Sequence, residues 1–107
     1  MTFPLDNPWT EAHQAVEDGD VQELARLLDG GADPDEVCST MTLLAHAVDH
    51  EADTAIQGDR EMGVVLIAVL LAYGASPTLR GPEGHSALDT AAEYGHGMAK
   101  RLLLRFT

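Results

Sequence analysis

The chain contains little cysteine, few aromatic residues and no long hydrophobic run. Its one cysteine, Cys38, cannot form a disulfide within the chain, which favours a reducing compartment. Aromatic residues make up 5% of the 107 positions, so aliphatic and small side chains must build the core. No stretch approaches roughly eighteen uninterrupted apolar residues, and no charged segment followed by an apolar run opens the sequence. We therefore expect a cytoplasmic protein that does not bind membranes.

Basic residues are also scarce. Six Lys and Arg stand against 18 Asp and Glu, for a formal net charge of −12. Residues 1–61 carry fifteen acids and two arginines, whereas residues 62–107 carry three acids and four bases. Such a field repels nucleic acid and speeds encounter with basic proteins, although acidity also serves solubility alone. One Lys beside five Arg, with one Asn and two Ile, indicates a GC-rich and hence bacterial genome.

One sequence motif recurs along the chain. Residues 27–37 read LLDGGADPDEV, a helix-ending Leu pair followed by turn-forming residues, and residues 70–77 repeat it as LLAYGASP. The segments that begin at Thr10, Thr42 and Ser86 also match one another. The first two of these starts are 32 residues apart and the next two are 44 apart. The pattern predicts a repeat architecture whose middle copy carries an insertion of about eleven residues.

These segments resemble the ankyrin repeat family, whose unit reads roughly T-P-L-H-x-A-A-x-x-G-H, then an apolar helix ending in L-L, then G-A-D. The resemblance covers nearly all of residues 8–106. It implies an all-α solenoid of about three helix-turn-helix units with protruding turns. The family's Pro is absent from all three copies, and its His survives only as His13, where a turn role with bonds to neighbouring backbone is expected. The resulting boundaries are a cap at 1–9, unit one at 10–41, unit two at 42–85 and unit three at 86–107.

The middle unit departs most from the family. Its insertion falls between Val48 and Val64, at about residues 49–60. We expect the inserted residues to lengthen both helices of the unit and to turn at Gly58 and Asp59. The segment 64–72 is apolar on every side, which predicts a helix buried between neighbouring units.

Helix starts can also be predicted. Thr10 and Asp20 are placed to cap the two helices of unit one, with Gly19 breaking the chain between them. Ser86 and Asp89 have the spacing of a capping box at the start of unit three.

The two ends of the stack need covering. Phe3, Leu5 and Trp9 are predicted to lie across the open end of unit one. At the other end the stack is predicted to finish with a last helix whose apolar residues are Met98, Ala99, Leu102, Leu103 and Phe106. The alternative is that Leu104 and Phe106 leave an apolar patch that pairs with a second copy, which would make a homodimer through the C-terminal helix.

No catalytic motif is present in the sequence. There is no G-x-S-x-G elbow, no phosphate-binding Gly loop and no credible Cys–His pair, so we predict neither an enzyme nor a cofactor. Cys38 is interpreted as a small turn residue. His46 and His50 stand four apart beside Asp49 and Glu51, a spacing that can chelate a metal although further ligands are missing. We expect two surface histidines whose pKa the carboxylates raise, and a metal-binding or pH-sensing module is the alternative function.

The resemblance implies a protein-binding module that presents its turns and first helices as a concave face. A basic protein is the expected partner because this face is acidic. A small immunity protein or inhibitor of a basic toxin or nuclease, and an adaptor, are the two roles that fit. The expected contact residues are Gln14, Glu17, Asp35, Glu36, Ser39, Met41, His46, Asp49, His50, Arg80, Glu83, His85, Thr90 and Glu93.

Overall fold

The computed structural model describes residues 9–107, which form six helices and one short β-hairpin. The elements are α1 (Glu11–Glu17), α2 (Val21–Asp29), β1 (Val37–Cys38), β2 (Met41–Thr42), α3 (Leu43–Gln57), α4 (Val65–Ala72), α5 (Ala87–Tyr94) and α6 (Gly97–Arg105). Consecutive helices pair, and the three pairs stack in chain order with α3 between α1 and α5, and α4 between α2 and α6. The predicted all-α solenoid is confirmed. Within residues 9–107 no helix has the length and apolarity to cross a membrane.

Side-chain caps start the helices where the sequence predicted them. The Thr10 hydroxyl accepts a hydrogen bond from the His13 amide at 3.2 Å, and the Asp20 carboxylate accepts from the Glu23 amide at 3.1 Å. Ser86 and Asp89 form a reciprocal capping box. These three predictions are confirmed, and each cap satisfies amide groups that a helix start otherwise leaves without partners.

The first helix of the middle unit is much longer than its counterparts. α3 has 15 residues, whereas α1 has 7 and α5 has 8. The chain turns after α3 with Asp59 at a φ of 54°. α4 has only 8 residues, so the predicted lengthening of the second helix is wrong. Instead, the segment before α4 has no regular secondary structure and is held at two points. The Glu51 carboxylate accepts from the Leu66 amide at 2.8 Å, and His96 Nε2–H donates to the Gly63 carbonyl at 2.7 Å.

Because the stack is only one helix pair deep, α3 is surrounded by other helices, whereas α4 has one side without a neighbour in the described part of the chain. α3 packs against α1, α5 and α4, and its first six residues are all buried. On α4 the buried side consists of Leu66, Ile67, Leu70 and Leu71, while Val65 is 56% exposed. The helix packs between α2 and α6, as its apolar sequence predicts, but its outer side is exposed. Nothing in residues 9–107 packs over its outer side, which forms part of the convex wall.

The two ends of the stack differ in how they are covered. Phe3 and Leu5, predicted to cap unit one, lie outside the described residues, while half-buried Trp9 lies over the rings of His13 and His46. At the far end, Leu104 and Phe106 are each 51% exposed. An apolar patch is therefore present at the C-terminal end, and its pairing with a second copy stays a prediction.

Candidate protein-binding surface

The protruding turns are tied to one another and to the first helix. The Asp35 carboxylate accepts from the Ser76 amide at 2.7 Å, which joins the first turn to the second. The Thr10 hydroxyl donates to the Glu36 carboxylate. Ser39 is exposed at the tip of the hairpin with a φ of 60°. Two of the predicted contact residues, Asp35 and Glu36, thus also hold the turns in place.

Small side chains create a cleft between α3 and α5 on the concave face, by which we mean the turns and the exposed sides of α1, α3 and α5. Its volume is about 330 Å³. The cleft brings together six of the predicted contact residues: Met41, Asp49, Glu83, His85, Thr90 and Glu93. Its other lining residues, which the sequence analysis did not select, are Thr40, Ala45 and Tyr94.

Tyr94 is the most consequential of the missed residues. Its hydroxyl donates to Asp49 Oδ1 at 2.5 Å, a bond that joins α5 to α3 across the cleft. This hydrogen bond, together with burial and the Asp49 charge, raises the pKa of Tyr94 to about 12, so the phenol stays protonated as a donor. A sequence signal was available, since Tyr94 is the one aromatic residue in the three first-helix segments, 10–18, 42–50 and 86–94.

The cationic side chains predicted for this face are engaged within the chain. Arg80 Nη1 donates to the Gly84 carbonyl at 2.5 Å and to Asp89 Oδ2 at 2.9 Å. Bonds from Ser86, and then the Arg80 charge, hold the pKa of Asp89 below its ordinary value. His85 Nδ1 lies 3.7 Å from a Glu93 carboxylate oxygen. Arg80 is thus directed at its own turn, and the exposed charge of the face is mainly negative.

A buried polar cluster occupies the equivalent space between α1 and α3. His13 and His46 are both fully buried, and their Nδ1 atoms lie 2.9 Å apart. His46 Nε2–H donates to Glu17 Oε1 at 2.8 Å. Because the carboxylate can only accept, a neutral His46 has its lone pair on Nδ1 and takes the proton of His13 Nδ1–H. The arrangement is a chain of hydrogen bonds that runs from His13 to His46 and then to Glu17.

The surface position predicted for His46 is wrong, and so is its predicted pKa. Burial lowers the pKa of His46, outweighing the hydrogen bond and charge of Glu17 that act in the opposite direction. Burial and the neighbouring His46 lower the pKa of His13 to about 4. His46 faces α1 rather than solvent, so it is not available to touch a partner. His13 does approach the next turn, with Nε2 at 3.5 Å from the Glu36 carbonyl.

The remaining predicted positions lie nearby but apart from the cleft. Gln14 is half-buried and donates to Asp18 at 2.9 Å. His50 is half-buried, with Nε2 so close to Gly19 that an added Cβ there would lie 3.1 Å away. In residues 9–107 no group of three or more His, Cys, Asp or Glu is arranged to hold a metal, and both ring nitrogens of His46 are already bonded. Cys38 is buried in β1.

Comparisons with known proteins identify related folds. No protein-family model matches the chain, and no curated protein does either. The ankyrin repeat domain of Bcl-3, described as a unique member of the IkappaB protein family, aligns over 92% of this chain with a TM-score of 0.77 and 29% identity. An ankyrin repeat domain from Acinetobacter baumannii AYE also aligns over 92%, with a TM-score of 0.75 and 26% identity. The chain covers 40% and 48% of those two proteins.

Proposed function

Because the chain is an ankyrin repeat protein, we propose that it binds a basic protein partner through its concave face rather than catalysing a reaction. The observation that carries the proposal is the cleft between α3 and α5, where six of the predicted contact residues meet. Concave clefts that combine apolar side chains with a few converging polar groups are the usual form of binding sites.

The charge of this face supports a basic partner. Asp49, Glu83 and Glu93 line the cleft, and Glu17 lies exposed on the same side of α1. Arg80, the arginine among the predicted contact residues, is paired with Asp89. A basic surface would gain attraction on approach, and no Lys or Arg within residues 9–107 forms an ion pair with these carboxylates.

Two biological roles fit such a surface. An immunity protein or inhibitor would cover a basic toxin or nuclease, and an adaptor would link a basic protein to another component. The net charge of −12 and the residue usage favour the first role. Co-expression distinguishes them, because an immunity protein protects cells from the toxin that it binds and an adaptor does not.

A second use of the molecule rests on the C-terminal end. Leu104 and Phe106 are half-exposed there, and a homodimer could cover them. The same helix carries exposed Lys100, Arg101 and Arg105. A symmetric dimer would bring these cations of the two copies close together, which opposes association. We therefore rank this use below the concave face.

Affinity capture with three matched baits tests the proposal. The baits are the wild type, the concave-face variant Asp49→Asn/Glu83→Gln/Glu93→Gln, and the control Asp53→Asn/Asp59→Asn/Glu61→Gln, which removes the same charge from the inserted segment. We expect a basic protein on the wild type and the control that is lost from the concave-face variant and at high salt. Equal retention by the concave-face variant and the control would place the contact elsewhere.

A further inference from the structure

The cleft between α3 and α5 exists because two equivalent positions differ between the unit interfaces. At the first interface these positions hold His13 and His46, whose rings fill the space between α1 and α3. At the second interface the corresponding residues are Ala45 and Thr90, which line the cleft. The opening is therefore a consequence of small side chains at defined repeat positions.

The outer wall of the cleft is fixed by a close backbone contact. A Cβ at Gly81 would lie 2.8 Å from the Thr40 carbonyl oxygen, so the second turn can approach the β-hairpin only because residue 81 is glycine. The Gly81 amide also donates to the His85 carbonyl at 2.9 Å. These contacts place Glu83 and His85 beside Thr40 and Met41 around the mouth of the cleft.

The chemistry of the lining changes from apolar to acidic across the cleft. Met41 and Ala45 provide aliphatic surface, and Tyr94 provides an aromatic ring. Asp49, Glu83 and Glu93 provide carboxylates, and none of the ion pairs formed within residues 9–107 brings a Lys or Arg to them. The cleft thus combines a surface for a long aliphatic stem with acceptors for a cationic head.

We propose that this cleft binds a single arginine side chain projecting from the protein partner. The inference rests on the proposed function, because it specifies which residue of the basic partner the concave face binds. The stem of the arginine lies against Met41 and Ala45, and its guanidinium is accepted by Asp49 and Glu93. Charge complementarity and the form of the cavity select this occupant.

Arginine fits the lining better than lysine for two reasons. Its planar guanidinium stacks on aromatic rings and donates to two carboxylates at once, whereas a lysine ammonium is a compact and strongly hydrated charge. Tyr94 supplies the ring and also fixes one acceptor. Since its hydroxyl occupies Asp49 Oδ1, Asp49 Oδ2 remains to accept from the ligand. Tyr94 is accordingly both a contact and a positioning residue.

An NMR titration tests whether the cleft binds arginine. The ¹⁵N-labelled chain of 107 residues is titrated with three blocked amino acids. The probes are N-acetyl methylamides of arginine, lysine and citrulline, where citrulline keeps the shape of arginine but lacks its charge. Arginine should shift the amide signals of Met41, Ala45, Thr90 and Tyr94 in a saturable manner. Lysine should bind more weakly and citrulline should not bind. Equal effects of arginine and lysine, or no saturable effect of arginine, would overturn the assignment to arginine.

Matched variants separate the cleft from the general acidity of the face. Asp49→Asn/Glu93→Gln should weaken arginine binding by roughly tenfold or more, as expected for the loss of charged hydrogen bonds. Asp59→Asn/Glu61→Gln, which removes the same charge from the inserted segment, should bind as the wild type does. Equal weakening in both variants would overturn the cleft as the site. Tyr94→Phe should reduce the preference of the cleft for arginine over lysine, and an unchanged preference would remove its positioning role.

A basic heptapeptide of lysines, titrated in parallel, makes the two proposals distinguishable. If this peptide binds the acidic face with strong salt dependence but arginine does not enter the cleft, the proposed function stands and the arginine site is wrong. If neither probe binds at low salt, the basic-partner proposal fails together with the site that rests on it.

Discussion

The two interfaces between units use the same repeat positions for different purposes. Between α1 and α3 these positions hold the buried rings of His13 and His46, with Trp9 packed over them. Between α3 and α5 they hold Ala45 and Thr90, and a cleft of about 330 Å³ remains. The comparison shows that side-chain size at two positions determines whether an interface is a filled joint or an open site.

Glu17 on α1 and Asp49 on α3 occupy equivalent repeat positions, and their bonding differs between the two interfaces in the same way. Glu17 accepts from the ring of His46, which is buried within the first interface. Asp49 accepts from the hydroxyl of Tyr94, which lines the open cleft. One carboxylate therefore completes a buried network, and the other is held in place at the edge of the cleft.

Removing the His46 ring from the filled interface between α1 and α3 should have the largest effect on stability. His46→Ala leaves a cavity and takes the hydrogen-bond partner from the buried His13 ring. We expect a loss of about 3 kcal/mol in the free energy of unfolding, measured by urea denaturation. The equivalent change across the cleft, Thr90→Ala, removes a half-buried hydroxyl and should cost less than about 1 kcal/mol. Similar losses in the two variants would contradict the difference between the interfaces.

Acid should weaken the filled interface between α1 and α3. The folded-state pKa of His13 is lowered to about 4, below its ordinary value of 6.5, so the unfolded chain binds more protons between these values. The contribution of neutral His13 to the free energy of unfolding is fully present above about pH 6.5 and is lost as the pH falls towards 4. At 1.36 kcal/mol for each pKa unit, protonation of His13 lowers the free energy of unfolding by about 3 kcal/mol. The lowered pKa of His46 acts in the same direction.

Urea denaturation at pH 7.5, 6 and 5 measures this dependence. The wild type should lose stability across the series, and His13→Leu should show a shallower loss because its titrating ring is gone. His85→Ala, a change at an exposed histidine beside the cleft, serves as the control and should follow the wild type. An identical pH dependence in His13→Leu and the wild type would remove His13 as the cause.

At the open interface, Tyr94→Phe should lower the free energy of unfolding much less than His46→Ala does at the filled interface. The variant loses one hydrogen bond to a carboxylate at a half-buried position, for an expected cost of about 1 kcal/mol. Absorbance at 295 nm provides a second check on the wild type. Because the pKa of Tyr94 is raised to about 12, part of the absorbance change should appear only as the pH approaches 12. Completion of the absorbance change near pH 10 would contradict the bond to Asp49.

The sequence predicted the repeat and the helix caps because these depend on local spacing. It did not predict a cleft, although six of the nine residues that line it were among the expected contact residues. Thr10, Asp20 and Ser86 identify helix starts through side chains that bond to nearby amides. Met41, Asp49 and Glu93 could be assigned to one face because equivalent repeat positions lie on the same side of the stack.

Features that depend on packing between units were not predictable in this way. The spacing of His46 beside acidic residues is also typical of a surface helix, and only the approach of α1 shows that the ring is buried. The apolar sequence of α4 gives no sign that its outer side lacks a neighbour. The inserted residues could have lengthened either helix. Instead, bonds from Glu51 and His96, which are distant in sequence, hold the segment before α4 without regular secondary structure.

The most direct test of the account converts the open interface into a filled one. Thr90→His places at the second interface the residue that occupies the equivalent position at the first, and at pH 8 the added imidazole is neutral. We predict that this variant stays folded, with a thermal midpoint within a few degrees of the wild type, and no longer binds the blocked arginine or the basic partner. Unchanged binding by the folded variant would contradict the claim that the cleft between α3 and α5 is the site of recognition.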